Sequence, residues 1–102
     1  MADYSSQTFL NENIQLNNPN IRVGVVCALW NSEVTSKLKE GAVSTLQKAG
    51  IADANIKVWD VPGSYELIYG ANKLANEGFD AIICLGVVIQ GETRHFDFIC
   101  DA

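Results

Sequence analysis

Phe79-Asp80-Ala81-Ile82-Ile83-Cys84-Leu85-Gly86-Val87-Val88-Ile89-Gln90-Gly91-Glu92-Thr93-Arg94-His95-Phe96-Asp97-Phe98-Ile99 decides how the chain is read. The first part, Phe79 to Leu85, is an apolar run of the kind a buried strand requires. The last part, Phe96-Asp97-Phe98-Ile99, can begin a helix, and the segment between them carries Gly86 and Gly91. Strand, glycine-bearing loop and helix N-terminus in that order present backbone N–H groups and the positive end of a helix dipole together. That combination is a ready site for a phosphate or another anion. His95, the single histidine of the chain, follows two residues after Thr93, the expected N-cap.

The spacing of Gly86, Gly91 and Thr93 overlaps the P-loop pattern G-x-x-x-x-G-K-[ST], but Glu92 stands at the lysine position. A carboxylate there repels the β- and γ-phosphates that the lysine would neutralise, which argues against nucleotide triphosphate chemistry. A monophosphate held by the N–H groups of Gly91, Glu92 and Thr93 and by the Thr93 hydroxyl remains compatible, provided Glu92 points outward.

Moving outward, Ile21 to Leu29 is nearly continuous in apolar residues, as a strand covered on both faces would be. It runs into Trp30-Asn31-Ser32, where Asn31 or Ser32 can cap a helix. From Glu33 to Ala49, residues Val34, Leu38, Ala42, Leu46 and Ala49 recur at helical spacing, and Gly50 supplies the stop. Asn55 to Val61 reads as a second strand closed by Pro62-Gly63. Ser64 to Glu77 reads as a second helix with Leu67, Ile68, Ala71, Leu74 and Ala75 inward and Gly78 at its end. The order βαβαβα predicts an α/β fold, a parallel sheet sandwiched between helices with right-handed crossovers. Ligands on such sheets bind at the carboxyl ends of the strands, where Trp30-Asn31, Val61 to Glu66 and Gly86 to His95 all fall.

Composition narrows the function. The 102 residues are 48% hydrophobic and 19% charged with a formal net charge of −5, an ordinary globular mix for one domain. An acidic chain without a basic cluster offers no electrostatic footprint for nucleic acid or an anionic membrane. No apolar run reaches the ~20 residues of a membrane span. Cys27, Cys84 and Cys100 form no C-x-x-C pair, and their odd number without a secretory leader predicts buried free thiols in a reducing, cytoplasmic setting. One histidine without a close ligand pair gives no metal site. Residues 1–20 are polar and rich in asparagine around Pro19, and read as an arm that is either a disordered tail or ordered against another subunit. Residues 21–102 read as the α/β domain.

Each candidate residue has a bland reading beside the functional one. Trp30 either covers the end of the sheet or stacks on a ligand. Glu66, in a first helical turn with Ser64 and Tyr65, either complements the helix dipole or accepts hydrogen bonds from sugar-like hydroxyls. His95 is either a packing histidine or a proton carrier beside the anion site. Asp97 would not share its helical face, so a His–Asp dyad is not expected.

Together, Trp30-Asn31 after the first strand, Pro62-Gly63-Ser64-Tyr65-Glu66 opening the second helix, and Gly86 to Asp97 resemble lumazine synthase, an enzyme family of riboflavin biosynthesis. The resemblance runs from about Ile21 to Ala102. It implies a three-layer αβα sandwich of flavodoxin-like strand order. It also implies condensation of 5-amino-6-ribitylaminouracil with 3,4-dihydroxy-2-butanone 4-phosphate to 6,7-dimethyl-8-ribityllumazine, with release of phosphate and water. By the same resemblance Trp30 stacks on the pyrimidine with Asn31 beside it, and Ser64, Glu66 and the Tyr65 backbone bind the ribityl chain. Val87, Val88 and Ile89 meet the pyrimidine through main chain, Glu92 and Thr93 lie at the substrate phosphate, and His95 transfers protons. Neither metal nor organic cofactor is implied.

Lumazine synthases form pentamers, sometimes assembled into shells, so a homo-oligomer is expected, with small molecules as its other partners. They also continue with a further strand and helices that carry a phosphate-contacting arginine and an aromatic reaching a neighbour's site. The domain is therefore expected to be incomplete at its C-terminus. Arg94 is open to two readings, a charge for the phosphate or a solvated side chain. The alternative functional reading is a non-catalytic homologue that binds a ribityl or flavin-like ligand or forms a shell. A related riboflavin synthase is a further one.

Overall fold

The computed structural model describes residues 16–102 of the chain. Most of the predicted N-terminal arm lies outside them. In its remaining part residues 17–20 are exposed, and the Leu16 amide donates to the Ala49 carbonyl at 3.5 Å.

Six main elements follow: β1 (Val23–Ala28), α1 (Ser32–Lys48), β2 (Ile56–Val61), α2 (Leu67–Asn76), β3 (Ala81–Leu85) and α3 (His95–Asp101). Short 3-10 turns, Asp53–Asn55 and Ser64–Glu66, precede β2 and α2. The strands form one parallel sheet in the order β2-β1-β3, with Val25 opposite Val58 on one side and Ile83 on the other. This is the predicted alternation, and its strand order is that of a flavodoxin-like sheet.

β1 is central, and all of its residues are buried. Its alternating side chains show which helix covers which face. The Cys27 thiol lies 3.5 Å from the Thr35 carbonyl of α1, whereas Gly24 and Val26 sit against Leu74 and Gly70 of α2. The helices therefore occupy opposite faces, as right-handed crossovers to opposite edges of the sheet require. Val26, Val61 and Leu74 form the core, with Trp59, Leu67, Phe79 and Ile82 around them.

Both predicted helix stripes need rotation. In α1, Val34 and Leu38 are each 42% exposed, and Thr35 is the buried residue at 1%. Burial there is cheap because the Thr35 hydroxyl donates to the Asn31 carbonyl at 3.4 Å, so no polar atom is stranded. In α2, Ile68 and Ala75 face out, while Gly70 and Leu74 are buried and Leu67 and Ala71 half-buried. Gly70 belongs to the inner face because a Cβ there would come within 2.6 Å of Val26 Cγ1. The second helix also begins later than predicted, since Ser64–Glu66 winds as a 3-10 turn before α2.

The expected stops hold, for Gly50 and Gly78 close α1 and α2 at φ 102° and 88°. Side-chain capping does not. Asn31 occupies the N-cap of α1 without a side-chain hydrogen bond, and Arg94 rather than Thr93 holds that position in α3. The three thiols are free as predicted, but only Cys27 is buried. Cys84, on β3, is exposed, while partial burial desolvates the thiol and pushes its pKa up.

At the amino end of the sheet, β1 and β3 are stitched together. The Asp80 amide donates to the Arg22 carbonyl and the Arg22 amide to Asp80 Oδ2, both at 2.8 Å. The Arg22 guanidinium lies 4.2 Å from the centre of the Phe79 ring and donates to the Glu77 carbonyl at 3.4 Å.

Candidate functional site

At the opposite, carboxyl end the strands lead into three loops that are held close together. The Leu29 amide donates to the Val61 carbonyl at 2.7 Å and the Trp30 amide to the Pro62 carbonyl at 3.0 Å. These bonds continue the β1–β2 pairing past the strands and hold Trp30 beside Gly63. Asn31 then turns the chain into α1 in the left-handed conformation (φ 58°), which asparagine tolerates better than most residues. Its carbonyl accepts from the Val34 and Thr35 amides at 3.0 and 3.1 Å, so Asn31 starts the helix through its main chain.

The second loop is drawn up by the turn Ser64–Glu66, in which the Glu66 amide donates to the Gly63 carbonyl at 3.2 Å. The third loop meets it directly, because Ser64 Oγ donates to the Val87 carbonyl at 3.1 Å. Gly86 makes this approach possible. A Cβ there would lie 2.7 Å from Ser64 Oγ and 2.9 Å from Leu67 Cδ1, closer than real side chains come.

Between the loops opens a cleft of about 370 Å³, lined by Trp30, Gly63, Ser64, Tyr65, Glu66, Val87, Val88, Ile89, His95 and Ile99. Small-molecule sites span about 300–1,000 Å³, so a single compact ligand fits. The lining includes the Trp30 indole, 52% exposed, the aliphatic Val87-Val88-Ile89 segment, the Ser64 hydroxyl and the Glu66 carboxylate. His95, the first residue of α3, stands at the margin with Ile99 one turn further on. A flat heterocycle with a hydroxylated chain matches these surfaces: a ring for the aromatic and apolar walls, hydroxyls for the carboxylate.

Of the residues singled out from the sequence, Trp30, Ser64, Tyr65, Glu66, Val87, Val88, Ile89 and His95 meet in this one cleft. Asn31, Glu92 and Thr93 are not among its lining residues. Asn31 is half-buried under the start of α1, and Glu92 and Thr93 lie exposed on the loop leading to α3. The Thr93 hydroxyl accepts the His95 amide at 3.4 Å. Within the described residues no hydrogen bond occupies the amides of Gly91, Glu92 and Thr93. The Arg94 guanidinium reaches Asp97 at 3.9 Å and lies 4.9 Å from the centre of the Phe98 ring. Asp97 therefore partners Arg94, and no dyad forms with His95.

Gly63 lies in the Val61 to Glu66 loop expected at the ligand end, whereas Ile99 falls outside the expected loops. Ile99 was read only as part of a helix start, although its spacing of four from His95 places both on one helical face and was legible in advance.

A family model described as 6,7-dimethyl-8-ribityllumazine synthase matches residues 20–102. A protein of that name from Cytophaga hutchinsonii is 61% identical over 80 residues, covering 78% of this chain and 50% of the relative. Another from Phocaeicola vulgatus is 47% identical over 85 residues, covering 82% of this chain and 51% of the relative. A third, from Flavobacterium johnsoniae, is 45% identical over 102 residues, 99% of this chain and 50% of the relative. The chain spans about half the length of the curated relatives it matches.

Proposed function

Since the chain belongs to the 6,7-dimethyl-8-ribityllumazine synthase family, we propose that it serves the condensation of 5-amino-6-ribitylaminouracil with 3,4-dihydroxy-2-butanone 4-phosphate in riboflavin biosynthesis. The observation that carries this reading is the convergence of three loops, distant in sequence, on one cleft with an aromatic, a carboxylate, an apolar main-chain wall and a histidine. Chance packing of a small parallel sheet has no need to bring those chemistries together.

In this proposal Trp30 stacks on the pyrimidine, with Asn31 holding the loop beneath it, and Val87 to Ile89 meet the ring edge through main chain. Glu66 and the Tyr65 backbone receive the ribityl chain in the turn that Ser64 opens. The phosphate of the second substrate binds at Glu92 and Thr93, where the unengaged amides and the exposed Glu92 side chain satisfy the condition for an anion there. The uracil amine attacks the butanone carbonyl and water leaves as the imine forms. Phosphate is then eliminated, and the second amine attacks the remaining carbonyl and closes the ring with loss of a second water. Protons move both on and off during these steps, which suits His95 at the cleft margin. Holding two substrates face to face supplies much of the acceleration.

The same proposal includes a homo-oligomer, a pentamer as in the family, in the cytoplasm. Among the described residues no helix is long and apolar enough to cross a membrane.

The test is appearance of the lumazine chromophore when the chain is mixed with both substrates, against a His95→Ala control. The expected outcome is formation well above the spontaneous rate in the parent and a loss of about 10²-fold or more of the catalysed part in the variant, the scale of general acid–base catalysis. Identical background rates in both would overturn the proposal.

A further inference from the structure

The turn Ser64–Glu66 and the segment Val87–Ile89 form adjoining walls of the cleft, although more than twenty residues separate Ser64 from Val87 (|i−j| = 23). Among the described residues no main-chain hydrogen bond holds Val87, Val88 or Ile89 in place. One side-chain bond does: Ser64 Oγ to the Val87 carbonyl, at 3.1 Å and partly buried. The serine is also packed closely on the start of the third loop. A Cβ on Gly86 would meet Ser64 Oγ at 2.7 Å and Ser64 Cβ at 3.5 Å, so the serine lies flat against the backbone where β3 ends.

A hydroxyl carries a single proton. Here that proton is committed to Val87, which leaves Ser64 only lone pairs to offer a ligand. We infer that Ser64 is a positioning residue, which latches the Val87–Ile89 wall to the Ser64–Glu66 turn and so sets the width of the slot in which the heterocycle lies. A direct polyol ligand would bind the chain of the substrate, whereas a latch governs how the ring is held. The identity of the ligand rests on the function proposed above; the latch itself rests on the geometry of the cleft.

The two roles separate in a Ser64→Ala variant titrated with 5-amino-6-ribitylaminouracil and with 5,6-diaminouracil, which lacks the ribityl chain. The latch predicts that both bind more weakly by the same factor, about fivefold to tenfold, the scale of one uncharged hydrogen bond. In the unliganded variant, amide exchange at Val88 and Ile89 becomes faster while exchange at Val25 and Val26 in β1 is unchanged. A merely structural serine would speed exchange in all of these positions together. Weakening confined to the ribityl compound, with exchange at Val88 and Ile89 unaltered, would overturn the inference in favour of a polyol ligand. No change in any readout would also overturn it. Should the parent chain bind neither uracil, the proposed function fails, and the exchange comparison alone still decides whether the latch exists.

Discussion

The two ends of the same sheet are built to opposite purposes. At the amino end the Arg22 backbone exchanges short hydrogen bonds with the Asp80 amide and carboxylate, and the Arg22 guanidinium covers Phe79. At the carboxyl end the chain leaves each strand into a loop, and the loops, tied by bonds such as Ser64–Val87, surround a cleft. In parallel strands every main chain exits on one side, so side chains that bind can gather there while the other side closes the core. The proposed function thus assigns stability and recognition to different ends, and substitutions at the two ends should separate them.

The largest effect belongs to the closed half. Leu74, fully buried and in contact with the Gly24 region of β1, should cost about 2–5 kcal/mol when changed to alanine, because contacts are lost and a cavity remains. Denaturant unfolding checks this, and a loss below about 1 kcal/mol would mean that α2 collapses into the gap more readily than close packing allows.

Next comes Gly86→Ala at the open end. The added methyl has no place between Ser64 and Leu67, so a cost of about 1–3 kcal/mol is expected from overpacking. Unlike Leu74→Ala, it should weaken 5-amino-6-ribitylaminouracil binding even under conditions where the variant is fully folded. Parent-like affinity in a folded Gly86→Ala protein would show that the cleft does not depend on this close approach.

The smallest effect is expected at the amino-end stitch. Asp80→Ala removes the acceptor of the Arg22 amide and should cost about 1 kcal/mol while leaving ligand affinity as in the parent. A binding defect there would break the division between the two ends.

Much of this was legible in the residues. The burial of β1 followed from the run Val23 to Ala28, the helix stops from Gly50 and Gly78, and the meeting of Trp30, Ser64 to Glu66, Val87 to Ile89 and His95 from their positions after strands of a βαβαβα chain. What was misread shares one cause. Counting apolar side chains placed Val34 and Leu38 inside and overlooked Thr35 and Gly70. A helix turns its inner face by shape as well as by hydropathy: glycine is buried where helix and strand come closest, and threonine where its hydroxyl bonds its own backbone. Likewise Cys84 has the same apolar company in sequence as Cys27, but of the two only Cys27, on the strand paired on both sides, is buried.

The sequence by itself determined the elements, their order, the parallel sheet and the end of it at which a site would lie, since periodicity and chain connectivity are local properties. Only the tertiary structure decided that the Ser64 hydroxyl bonds Val87, that Ile99 joins His95 in the cleft, and that Asn31, Glu92 and Thr93 stand outside its lining. Those facts depend on distances of a few ångströms between segments far apart in the chain, and only the packing of helices against the sheet sets such distances.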